Sequence, residues 1–146
     1  KFTAGEAAQI QKASGVSLKL PGAWYALAMK DSQVIGAMIV DCVKGKHEAI
    51  DFVVALDAEG KVRCIEILEY RESIGEEVRR TGWRKQFQAK DTHSKLKLND
   101  DIANIAGATI SCRNVTEGVR RVCHTWQLVL RPALVSAKRL PKLASR

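Results

Sequence analysis

In the stretch "NIAGATISCRNVTEGVRRVCHTW", residues 104–126, Gly107, Ala108 and Thr109 are followed by Ile110 and Ser111, directly ahead of a run with helical periodicity. The first turn of a helix has unpaired N–H groups and the positive end of the dipole, so it attracts anions, phosphate above all. Small residues in front of it let a ligand approach the backbone closely. Thr109 adds a hydroxyl that can hydrogen-bond a phosphate oxygen or be esterified by one. Ser111 is placed to cap a helix starting near Cys112. The same residues also suit an ordinary helix N-terminus, so a phosphate seat and a plain cap both stand as readings.

The elements that would position this stretch follow from pattern. "TAGEAAQIQKAS" has Thr3 as N-cap, Glu6 three residues later and Gly15 beyond the end, which predicts a short opening helix. "AWYALAMKDSQVIGAMIVDCV" reads as strand, turn at Asp31-Ser32, strand. "AIDFVVALDAEGKVRCIEILEY" repeats that plan, with Gly60 supplying the positive φ of a tight hairpin. "SIGEEVRRTGWRKQFQAK" changes to helical spacing through Val78, Trp83 and Phe87, with Gly82 weakening its middle. "DTHSKLKLND" is a loop or a short edge strand. Val115, Val119, Val122 and Trp126 then mark one face of a helix. After Leu130, two prolines and five basic residues predict a tail or linker outside the core. The order implies an α+β fold, an antiparallel sheet of consecutive hairpins flanked by helices.

A chain of 146 residues with 46% hydrophobic content can bury one ordinary core, and no window approaches the length of an apolar membrane helix. It begins at Lys1, so a missing leader carries no information about compartment. The net charge of +8 fits a solvated, lipid-facing or acidic-partner surface, and more remotely a nucleic-acid-binding module. The Cys and His spacings match no zinc finger, thioredoxin-type site or haem attachment. Cys112 and Cys123 would lie on one helix roughly 16 Å apart, too far for a disulfide. Cys42 and Cys64, on predicted strands, are either bridged or buried as small hydrophobes.

"GATIS" followed by a basic, valine-faced helix resembles the FMN-binding domain family. That domain occurs in one subunit of the sodium-translocating NADH:quinone reductase, in one subunit of Rnf complexes and in NosR-type proteins. Its signature is Asp-x-x-Ser/Thr-Gly-Ala-Thr, usually with x-Ser/Thr after it. A second stretch, "YRESIGEEV", resembles the family's acidic-hydroxyl-Pro-Gly loop near the flavin ring through Glu72, Ser73 and Gly75. The resemblance covers roughly residues 23–126. Ala103 and Ala106 stand where the signature has its aspartate and hydroxyl, and Ile74 replaces the loop proline. Asp100 and Asp101 lie just upstream as candidates for the missing acid.

The resemblance implies three segments: an N-terminal helix and lead-in over 1–22, an FMN-binding domain over 23–130 and a basic C-terminal tail over 131–146. It implies FMN joined to Thr109 through a phosphoester by a flavin transferase, with Gly107, Ala108, Ile110 and Ser111 around the phosphate and Glu72, Ser73 and Gly75 near the ring. Trp83, Phe87 and Trp126 suit either a flavin wall or, by their apolar stripes, the core. The implied role is an extracytoplasmic electron-transfer module docking with redox partners or a membrane complex, with no nucleic acid expected. The alternative is a related domain holding FMN non-covalently or lacking it, in a sensory or structural role.

Overall fold

The computed structural model describes residues 1–142. Helix α1 spans Ala4–Ser14 and is closed by the predicted devices. Thr3 accepts from the Glu6 N–H, Glu6 answers on the Thr3 N–H, and Gly15 takes the left-handed conformation at the C-terminus. Four strands follow: β1 Trp24–Lys30, β2 Gln33–Lys44, β3 Ala49–Asp57 and β4 Val62–Tyr70. They pair antiparallel in sequence order. Asp31 and Ser32 have φ of 50° and 68°, as a two-residue turn between right-twisted strands requires.

Strand alternation decides which face is buried. On β3, Ile50, Phe52, Val54 and Leu56 point to the core, joined by Ala37, Ile39 and Val43 from β2 and Val62, Ile65 and Ile67 from β4. Helix α3, Thr109–Thr125, lays Val115, Val119 and Val122 on that face, continued by Trp126. A Cβ on Gly118 would lie 2.7 Å from both Phe52 and Val43, so the bare glycine sets how closely helix and sheet approach.

Several expectations need correction. The helix expected over the 73–90 region is broken into a 3₁₀ turn at Glu76–Arg79, a single turn α2 at Thr81–Arg84 and a second 3₁₀ turn at Lys85–Phe87. Arg80 is extended (φ −64°, ψ 133°) and interrupts the hydrogen-bond ladder. Trp83 and Phe87 still reach the core, edge to face at 5.1 Å, and Trp126 is fully buried, so all three pack rather than line a cleft. Nor is the stretch after Leu130 a detached tail. A π-helical turn, Trp126–Leu130, leads into α4, Arg131–Ser136, and Leu134 and Leu140 are buried. Pro132 sits in the first turn of α4, where its missing N–H does least harm. Arg131 is buried and donates to the Ala58 carbonyl at 2.9 Å, which ties α4 to the β3–β4 turn. The last expected tail residues, 143–146, lie outside the described residues.

All four cysteines are free. Cys42 faces Asp51 and Cys64 faces Ala55 across β3, so the two are neither adjacent nor bridged, and Cys64 is exposed. Cys112 and Cys123 are core residues, and burial pushes the Cys123 thiol up to about 12. No helix among the described residues is long and apolar enough to cross a membrane.

Candidate functional site

The Gly-Ala-Thr stretch opens α3 three residues earlier than a Ser111 cap would allow. Thr109 is the first helical residue and Ala108 the N-cap, with no side chain capping the end. Ser111 is buried instead, and its hydroxyl lies 2.8 Å from the Tyr70 hydroxyl. The first helical N–H with a backbone acceptor is that of Cys112, bonded to the Ala108 carbonyl at 2.9 Å. The N–H groups of Thr109, Ile110 and Ser111 thus have no partner among the described residues, at the positive end of a long helix.

These residues open into a cleft of about 440 Å³ lined by Lys46, His47, Glu72, Ser73, Ile74, Gly75, Gly107, Ala108, Thr109, Ile110 and Ser111. Every residue expected around the phosphate or near the ring lines this one cleft, although the two motifs are more than thirty positions apart in the chain; Ala103 and Ala106 are not among its lining residues. The volume is within the ~300–1,000 Å³ typical of small-molecule sites. Ile74 and Ile110 are exposed apolar lips.

Tyr70, not singled out in the sequence, joins the motifs. Its hydroxyl donates to the Ile74 carbonyl and shares a hydrogen bond with Ser111, clasping the 71–75 loop to the start of α3. Burial pushes the phenol up, so it stays a donor at neutral pH. Gly75 lies within this clasp at φ +91°. A Cβ there would stand 2.5 Å from the Tyr70 hydroxyl and 2.7 Å from that of Ser111. Gly75→Ala therefore combines backbone strain with overpacking. It should destabilise the fold by about 2–6 kcal/mol, read as a lower urea midpoint, and should spread the cleft. An unchanged midpoint would contradict the clasp.

Glu72 lines the cleft, but its carboxylate is engaged elsewhere. One oxygen accepts from the backbone N–H groups of Glu48, at 2.7 Å, and His47. It thereby staples the β2–β3 turn that carries Lys46 and His47. Those two bonds hold the Glu72 carboxyl below its ordinary value of 4.5. A depressed carboxyl stabilises the fold above that value, and the contribution is lost as pH falls through the lowered one. Amide exchange should accordingly show the His47 and Glu48 N–H groups protected near neutral pH and losing protection in acid before the β3 amides do. Simultaneous loss along β3 would refute the staple.

Asp100 and Asp101 do not reach Thr109. Asp101 accepts from the Leu96 and Lys97 N–H groups at 2.9 Å each, and Asp100 pairs with Lys95. Thr109 is met instead by Asn104, whose Nδ2 lies 2.9 Å from its Oγ1. Tyr70, Asn104, Lys46 and His47 escaped notice in the sequence. Only the last two had a signal there: a hairpin meander puts the β2–β3 turn at the same sheet end as the loop after β4, and Ile50 indeed faces Tyr70.

Chemically, the cleft offers unpaired N–H groups and a dipole for an anion, a lysine and a histidine in the same lining, and apolar lips for a flat ring. None of the cleft hydroxyls bonds to His47 among the described residues. Residues 45–124 match the family model of the FMN-binding domain, more than half of the chain. A component of the proton-translocating ferredoxin:NAD(+) oxidoreductase complex of Clostridium ljungdahlii, the subunit designated G, is 31% identical over 104 residues. That alignment takes in 66% of this chain and 56% of the relative, so the chain spans little more than half of that relative's length. The chain belongs to the FMN-binding domain family, and FMN is its cofactor.

Proposed function

We propose that this chain is an extracytoplasmic electron-transfer domain whose FMN is joined by a phosphoester to Thr109, serving redox partner proteins within a membrane electron-transfer complex. The observation that carries this reading is Thr109 itself: a hydroxyl at the first position of an uncapped helix, among unpaired N–H groups, inside the one cleft that gathers both motifs. A phosphate esterified there meets the helix N–H groups without displacing any internal hydrogen bond. Gly107, at φ +86° and with open space where a Cβ would stand, leaves room for it.

Bound FMN supplies transfer of electrons one or two at a time. The chain's own residues do the rest. The backbone N–H groups of Thr109, Ile110 and Ser111 take up the phosphate charge. Glu72 fixes the turn that presents Lys46 and His47 to the cleft, and the Tyr70–Ser111 pair fixes the wall at Ser111. Ile74 and Ile110 give an apolar edge at the mouth, suited to contact with a partner. The name of the Clostridium relative, part of a ferredoxin:NAD(+) oxidoreductase complex, supports the electron-transfer role and the membrane complex. The linkage requires a flavin transferase as maturation partner.

Weighing the intact, denatured protein from its native host tests the reading: an added FMN-sized mass is expected. Ala103 and Ala106, which put no polar group where the family signature has two, favour a second reading in which FMN is held without a bond. Yellow colour that leaves the protein on denaturation would select that second reading.

A further inference from the structure

Thr109 meets one polar side chain among the described residues, that of Asn104. Asn104 Oδ1, at the other end of the same amide, is buried with no hydrogen-bond partner. An orphaned acceptor of this kind costs about 1–3 kcal/mol, so its retention calls for a reason. The backbone beside it is fixed from two sides. The Ala103 carbonyl accepts from Trp83 Nε1 at 2.8 Å, and the Ala103 N–H donates to Gln86 Oε1 at 2.7 Å. Trp83 is itself buried, so Asn104 is held at Thr109 by the core.

A carboxamide has two ends of equal shape and opposite character, and half a turn about its last torsion exchanges them. With oxygen toward Thr109, Asn104 accepts the hydroxyl proton, which leaves an oxygen lone pair free for the cleft. With nitrogen toward Thr109, it donates to that oxygen. The structure has the second arrangement, with Nδ2 toward Oγ1; a free threonine hydroxyl is served by either end of the amide, an esterified oxygen by the nitrogen end alone. We infer, on the basis of the phosphoester reading above, that Asn104 is the positioning residue of Thr109, orienting its hydroxyl for flavin transfer and holding the ester oxygen afterwards. In that transfer the Thr109 Oγ1–P bond forms and a P–O bond of an incoming flavin phosphoanhydride breaks. The threonine proton leaves with the displaced phosphate, and Asn104 neither gains nor loses a proton.

The test mixes the apo chain with flavin transferase and its flavin phosphoanhydride donor, quenches by denaturation and follows covalent mass with time. Asn104→Ala should take up FMN at least about ten-fold more slowly, with an unchanged melting temperature and an unchanged KM for the chain. Asn104→Asp keeps an acceptor for the hydroxyl proton and should recover to within about three-fold of wild type at neutral pH. Its rate should fall as pH drops through the carboxylate range, a dependence that a packing role would not create. Asn104→Ala reacting at the wild-type rate, or Asn104→Asp as slow as Asn104→Ala at every pH, overturns the inference. Should Asn104→Ala not melt cooperatively, the pH profile of Asn104→Asp decides alone. Wild-type chain that gains no covalent mass refutes the phosphoester reading itself, an outcome distinct from these.

Discussion

Thr109→Ala is expected to give a protein that folds as the wild type does and loses all its yellow colour on denaturation. The threonine hydroxyl is the atom that would bear the phosphoester, and no neighbouring hydroxyl can replace it. Ser111 Oγ is turned into the protein against Tyr70, and Ser73 belongs to the other motif, in the loop after β4 rather than at the start of α3. Stability should change little, by about 1 kcal/mol or less, because Thr109 is half-buried and gives up only the Asn104 contact. Thr109→Ser keeps the oxygen and should regain the covalent flavin. The unpaired N–H groups at the start of α3 survive both changes, so Thr109→Ala should still hold FMN reversibly. Covalent flavin persisting in Thr109→Ala would place the linkage elsewhere.

A large stability effect is also expected at Arg121, far from the flavin cleft. Its guanidinium is buried. It donates to Asp41 Oδ2 through Nε at 2.9 Å and Nη2 at 2.8 Å, to the Cys42 carbonyl at 2.8 Å and to the Ser17 carbonyl. One side chain on α3 thus ties down β2 and the segment between α1 and β1. Arg121→Met would take the charged partner from the Asp41 carboxylate, leaving it the Cys42 N–H, and the guanidinium donors from two carbonyls, and should cost about 3–5 kcal/mol in urea denaturation. Burial already pushes the Asp41 carboxyl above its ordinary 3.8, with Arg121 opposing the rise. Without Arg121 the rise grows. A carboxyl raised in the folded state favours folding at low pH and loses that advantage as pH climbs through its raised value. The Arg121→Met penalty should therefore be larger near neutral pH than in mild acid. Replacing both partners, Arg121→Met with Asp41→Leu, should recover much of the loss, since the unpaired charge goes with its partner. A single substitution that costs nothing would refute this role.

Much of the scaffold could be read from local chemistry. The Asp31-Ser32 turn, Gly60 and the alternation along β3 specify hairpins wherever they occur. The Thr3–Glu6 box and the valine stripe of α3 likewise need no distant partner. Misreadings arose where local signals were mixed or the decisive contact was remote. Leu134 and Leu140 were masked by the basic residues and prolines around them, yet they share the core with strands nearly a hundred residues earlier. Ser111 has the composition of a cap, and only its encounter with Tyr70, 41 positions away, turns it inward. Glu72 was placed at the right cleft on the strength of its motif. Its part in stapling the 45–48 turn depends on the register of β3 with β4, which no short stretch encodes. Asn104 lies between Ala103 and Ala106, the two departures from the motif. Its significance is the buried amide oxygen, a property of the folded chain.

The most direct measurement is fragmentation of the tryptic peptide covering residues 98–113, "LNDDIANIAGATISCR", from protein purified out of its native host. It contains both hydroxyls that open α3, Thr109 and Ser111. The phosphoester account predicts a peptide heavier by one FMN unit, with the added mass on Thr109. The unmodified peptide as the sole form, or FMN on Ser111, would contradict it.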